Sequence, residues 1–170
     1  SSAASDVYKR QELLNLKDLI HHFVEHRHDV VVKRTNFELK KAEQRAHILE
    51  GLIIASDNID DVIDLIKKSS NADEARQKLE KKYKLSETQA KAIIEMRLRQ
   101  LTGLEQNKLR EEYDDLQKTI KGYKDLLDSK TKRMNLIKEE LADIKEKYGD
   151  ERRSEIEYAG GDFRVEDIIP

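Results

Sequence analysis

Apolar residues along this chain recur at helical spacing almost from end to end. After Asn15, Leu16, Leu19, Ile20, Phe23 and Val24 form one apolar face. From His28 the spacing alternates fours and threes through Val32, Thr35, Leu39, Ala42, Ala46, Leu49 and Ile53. That is a heptad seam, narrow and rich in small side chains. It predicts one helix from Leu16 to about Ser56, capped by Asn15 with Asp18 in its first turn. Three short helices are expected next. Asn58 with Asp61 opens the first, Asn71 with Glu74 the second, and Ser86 with Gln89 forms a capping box for the third. Leu101-Thr102-Gly103-Leu104 breaks the pattern. A second seam then runs Leu109, Tyr113, Leu116, Ile120, Tyr123, Leu127, Lys130, Met134, Ile137, Leu141, Ile144 and Tyr148. Lys130 is its only charged member and follows Asp128-Ser129, so a bend is expected there. Gly149 suits the position just past a helix end.

Lengths set the expected architecture. Each long helix would span roughly 60–70 Å at 1.5 Å per residue. Two matched seams separated by short helices predict an all-α fold: a long antiparallel coiled-coil stalk with a small three-helix dimerisation knob at its tip. The expected divisions are 12–57 for the descending helix, 58–103 for the knob, 104–149 for the returning helix and 150–170 for an irregular tail. The knob is too small to bury a good core alone. Ile93, Ile94, Met96, Leu98, Leu101 and Leu104 are therefore expected to be covered by a second copy, making a homodimer. Residues 1–11 fit none of this. Residues 6–11 look like the translation of a transposon end, so 1–11 are expected to be extraneous or disordered.

Composition agrees with long solvated helices. Charged residues make up 40 % of the 170 and apolar ones 37 %, with acids and bases interleaved. The single proline stands at position 170, so nothing earlier forbids a helix. The net charge of −2 argues against a chain that binds nucleic acid over its whole surface. Arg27, Lys33 and Arg34 are the expected weak DNA-facing residues. There is no cysteine, hence no thiol chemistry. No apolar run approaches the roughly 20 residues that cross a bilayer, and no signal peptide is visible. A cytoplasmic protein without membrane partners is expected.

Catalytic chemistry finds little support. His22 and His26 share a helix face with His21 and His28 nearby, but no cysteine and no HExxH accompany them. Exposed histidines are the expectation, with no metal. Tyr113, Tyr123 and Tyr148 sit at core spacing, and no phosphate-binding glycine loop appears. No catalytic, cofactor-binding or metal-binding residue is expected.

Several runs resemble the A subunit of bacterial DNA gyrase. They are Asn15-Leu16-Lys17-Asp18, His26-Arg27-His28-Asp29-Val30-Val31, Lys33-Arg34-Thr35 and Arg45-Ala46-His47-Ile48-Leu49-Glu50-Gly51-Leu52. Gln89-Ala90, Arg97-Leu98, Leu101-Thr102-Gly103-Leu104-Glu105 and Gly149-Asp150-Glu151-Arg152-Arg153-Ser154 follow in the family's order. The resemblance spans residues 13–170. It implies a type IIA topoisomerase, which cuts one duplex, passes another through it with ATP, and reseals. The matching part is the coiled coil and the exit gate through which the transported duplex leaves. The family's nucleophilic tyrosine follows an arginine, and no tyrosine here does. The resemblance thus implies a piece inactive alone, with ATP and Mg bound by the B subunit of a heterotetramer. The A subunit of topoisomerase IV shares this architecture. A non-enzymatic coiled-coil adaptor would show the heptads without needing the Leu-Thr-Gly-Leu-Glu run. An RNA-binding arm would need a basic tip, and Asp57, Asp60, Asp61 and Asp64 make this one acidic.

Overall fold

The computed structural model of the chain describes residues 13–96 and 103–157, without the side chains of 103 and 104. Among the described residues there are six helices and no strand. They are α1 Leu16–Asp57, α2 Ile59–Lys68, α3 Ala72–Tyr83, α4 Glu87–Glu95, α5 Gly103–Asp128 and α6 Lys130–Tyr148. The chain divides into two compact units, residues 1–137 and 138–170. The expected extraneous segment, residues 1–11, lies outside the described residues, and so do 158–170 of the tail.

Within the first unit, α1 and α5 pair in opposite directions. Asp57 meets Arg110 and Glu43 meets Lys124 at 3.4 Å, so rising numbers on one helix face falling numbers on the other, and Arg133 at the start of α6 meets His28 at 2.9 Å in the same sense. Arg45 adds a two-bond contact to Glu112, at 2.9 and 3.2 Å. Exposed pairs of this kind contribute about 0–1 kcal/mol each; they fix register more than stability. The seam between these helices is thin. Ala42, Ala46 and Ile120 are buried together, with Leu39, Leu116 and Tyr123 packed around them. Small residues let the two backbones approach, as the heptad predicts.

On α1 the seam differs from expectation at Val31. Val31, not Val32, is fully buried. The spacing 28–31–35 satisfies the three–four alternation as well as 28–32–35 does. Thr35 is buried too, and its hydroxyl donates to the Val31 carbonyl at 2.7 Å, which removes the cost of hiding it.

The returning strand of the stalk is two helices rather than one bent one. Ser129 separates α5 from α6. Its hydroxyl accepts from the Lys132 amide at 3.3 Å and so caps α6. Arg133 reaches back and donates to the Leu126 carbonyl at 3.1 Å and to the Leu127 carbonyl, supplying partners for the last turn of α5. Of the α6 seam positions, Ile137 is buried, whereas Met134, Ile144 and Tyr148 are exposed.

The knob is built as its caps predict, with one exception. Asn71 accepts from the Glu74 amide at 2.8 Å, and Ser86 and Gln89 form the full capping box. Asn58 makes no side-chain cap for α2. Only one residue separates α1 from α2, and the Asn58 side-chain amide instead donates to the Ile54 carbonyl at 2.9 Å, closing α1. Leu49, Leu52, Ala55, Val62, Leu79, Leu85, Ala90 and Ile93 form one core beneath these helices.

Candidate functional site

The knob's outer surface carries an apolar groove of about 220 Å³ between α2 and the end of α4. Ile59, Ile63 and Ile66 line it from α2, at the i, i+4, i+7 spacing of one helical face. Ile94 of α4 and Met96, the residue just past its end, line the other side. All five are half-buried, while Val62 and Ile93 form its floor and are buried.

Each α4 residue has its place for a physical reason. The capping box fixes where the helix begins, so Gln89, Ala90 and Ile93 point inward at three- and four-residue intervals. Ile93 is only 3 % exposed and packs in the chain's own core while forming part of the groove's floor. Ile94, one step round the helix, reaches the groove. Of the other expected interface residues, Leu98 and Leu101 lie outside the described residues, and the Leu104 side chain does too. Conversely, the sequence marks Ile59, Ile63 and Ile66 as helix residues only. Their spacing gives an apolar face, which does not tell an inner face from an outer one.

The knob is tied to α1 by polar contacts around Gly51. Gln89 is 5 % exposed. Its side-chain oxygen accepts from the Ser86 amide at 3.0 Å, and its nitrogen donates to the His47 carbonyl at 2.7 Å. His47 Nε2 lies 2.7 Å from the Ser86 hydroxyl. A Cβ at Gly51 would stand 2.8 Å from the Gln89 Cβ, so only glycine permits this approach. On the other flank, the Tyr83 hydroxyl donates to Asp61, which also pairs with Lys82. Burial, then this hydrogen bond, pushes the Tyr83 hydroxyl up to about 12. The bonds from Lys82 and Tyr83 hold the Asp61 carboxyl below its ordinary value.

The remaining candidates are dispersed. Lys33 and Arg34 are exposed on α1, and Arg27 is half-buried. His21 pairs with Glu25 at 3.0 Å, and His28 accepts from Arg133. Among the described residues no three metal-ligating side chains converge. Tyr113 packs in the core, and Tyr148 is 80 % exposed. Among the described residues no helix is long and apolar enough to cross a membrane.

Paired antiparallel helices bearing a small knob with an apolar groove define an all-α helical arm. Comparison with known proteins is more specific. The family model for the A subunit of DNA gyrase/topoisomerase IV matches residues 2–142, and the chain belongs to that family. A protein of Clostridium acetobutylicum, named as the A subunit of DNA gyrase, is 48 % identical over 163 residues, covering 96 % of this chain and 20 % of the relative. Proteins of the same name from Dehalogenimonas lykanthroporepellens and Ureaplasma parvum are 47 % and 48 % identical over 165 and 159 residues. These cover 96 % and 93 % of this chain, and 20 % and 19 % of the relatives. The chain thus spans about a fifth of the length of the curated relatives it matches.

Proposed function

We propose that this chain is the coiled-coil stalk and exit gate of the DNA-cleaving A subunit of a type IIA topoisomerase, and that it pairs with a second copy through its knob. The gyrase reading is favoured over topoisomerase IV because the similar proteins named above are gyrase A subunits. In this reading the transported duplex leaves between two such arms. The breaking and resealing of DNA is carried out elsewhere in the enzyme. ATP and Mg belong to the B subunit, with which the A subunits form a heterotetramer in the cytoplasm.

The groove carries the proposal for the dimer. The stalk already has a partner within the chain, since α1 pairs with α5. The knob presents Ile59, Ile63, Ile66, Ile94 and Met96 half-buried around an open apolar depression. Fully burying such a side chain contributes roughly 1.5–3 kcal/mol. A second copy meeting this surface about a twofold axis would cover both grooves at once.

Light scattering on the chain with Ile63→Asp and Ile94→Asp tests the gate. The expected result is a monomer whose far-UV helicity is kept. A double variant that stays dimeric, or folded monomers produced by Leu116→Asp in the stalk, would overturn the assignment.

A further inference from the structure

One arginine holds the break in the returning half of the stalk. Ser129 alone separates α5 from α6, so the last carbonyls of α5 need partners that the helix itself does not supply. Arg133, half-buried near the start of α6, supplies two of them. Its guanidinium donates to the Leu126 carbonyl at 3.1 Å and to the Leu127 carbonyl. Through Nε it also donates to Nε2 of His28 on α1, at 2.9 Å. One cation thus joins three helices, and these three acceptors are all uncharged.

The bond to His28 fixes the form of the ring. An arginine keeps its protons, so Nε2 of His28 must be the bare nitrogen and the ring proton must sit on Nδ1. The ring is then neutral. Its Nδ1 lies 4.0 Å from Oδ1 of Asp29, so the two nitrogens face opposite charges. A second proton can enter only at Nε2. There it would meet the Arg133 N–H donor to donor and set one cation against another. His21 and His22 differ, because both face Glu25.

The other charges around the ring are split between helices. Asp29, Glu25 and His21 come from α1, with Glu25 and His21 3.0 Å apart. Lys130 and Arg133 come from α6. From α5 come the two carbonyls; among the described residues its last carboxylates, Asp125 and Asp128, bond neither to His28 nor to Arg133. His28, Asp29 and Lys130 border an open cleft of about 400 Å³, so the ring has room to turn. Its side chain is 24 % exposed, and a proton reaches it without unfolding.

We propose that His28 is a proton-operated latch on the α5–α6 joint. Neutral, the ring holds Arg133 across the Leu126 and Leu127 carbonyls. Protonated, it turns toward Asp29, and Arg133 leaves the end of α5. The released form carries the extra proton, so the joint is closed at high pH and loosens as pH falls through the range in which imidazoles titrate. The change is local: the last turn of α5 and the first of α6 fray, while the seam at Ala42, Ala46 and Ile120 stays paired.

Hydrogen exchange on the 170-residue chain at about pH 8 and about pH 5.5 brackets that range. Both points lie above the window in which Glu74 takes up its proton. Expressed as protection factors, which remove the intrinsic pH dependence of exchange, amides in the last turn of α5 should lose roughly tenfold at the lower pH, the scale of one lost charge-assisted hydrogen bond. Amides of α4 should not change. His28→Gln keeps an oxygen that accepts from Arg133 and does not titrate, so protection should stay high at both pH values. His28→Lys places a fixed cation there, and protection should be low at both. Nitrogen chemical shifts of the ring should put the proton on Nδ1 at the higher pH. Wild-type protection equal at the two pH values would overturn the latch. So would an acid loss that persists in His28→Gln, or a ring proton found on Nε2. The latch does not rest on the gate: monomer and dimer should show it alike.

Discussion

Gly51 and Gln89 are held together from both sides. Gln89 cannot retreat from a new side chain, because both ends of its amide are engaged, by Ser86 and by His47. Gly51→Val is therefore expected to cost about 1–3 kcal/mol by overpacking. Gly122 supplies the contrast. It is exposed within α5, and a Cβ there meets nothing within 4 Å. Gly122→Ala should stabilise by about 0.5–1 kcal/mol, since it removes only the entropic penalty of glycine in a helix. Urea denaturation of the two variants reads both signs. Glu74 carries a pH dependence. Its carboxyl is held down to about 2, chiefly by Lys78 at 2.8 Å and by the Ser70 amide at 2.8 Å. The ordinary value is 4.5, so between the two the unfolded chain binds more protons than the folded one. The stabilisation is thus complete above about 4.5 and is lost as pH falls toward about 2. Glu74→Gln should lower the melting temperature at neutral pH, and its difference from wild type should shrink across that acid window.

The helices themselves are largely legible in the sequence, for different reasons at different places. Asn15, Asn71 and Ser86 read as caps because each has a free first turn to satisfy. Asn58 departs from that reading because α1 ends where α2 begins, and a side chain serving two helices chooses by geometry that sequence does not carry. The groove is half legible. The apolar run in α4 marks the region, but periodicity assigns a residue to a face without saying what covers it. Ile93 goes to the core, and the α2 face lines the groove instead. The break at Ser129 is signalled by Lys130 in the seam. Its reinforcement by Arg133 is not, since an arginine folding back six or seven residues leaves no periodic trace. Arg133 serves the Leu126 and Leu127 carbonyls and His28 together. Arg133→Ala should therefore cost about 1–3 kcal/mol. In hydrogen exchange, amides in the last turns of α5 should lose protection while those of α4 keep theirs. Equal loss in both helices would mean that the break is not locally held.

At the scale of the whole molecule, the seam and the short helices define an all-α arm, while its membership in the gyrase and topoisomerase IV A-subunit family rests on residue order along nearly the whole chain. Periodicity alone fits an adaptor equally well, because heptads encode pairing and not what the pair is for. The close approach at Gly51 has a mechanical consequence for such an arm. The groove helix α4 is joined to α1 at residues 47 and 51, not through the turn at Asn58. A force applied to Ile94 or Met96 would then enter α1 about six residues, roughly 9 Å, short of its end. Helix α4 also shares a core with Leu52 and Ala55 of the last turns of α1, with Val62 of α2 and with Leu79 of α3. Under the pairing proposed above, a pull on Ile94 would therefore reach the stalk through the polar joint at His47 and Gly51 and through this shared core together.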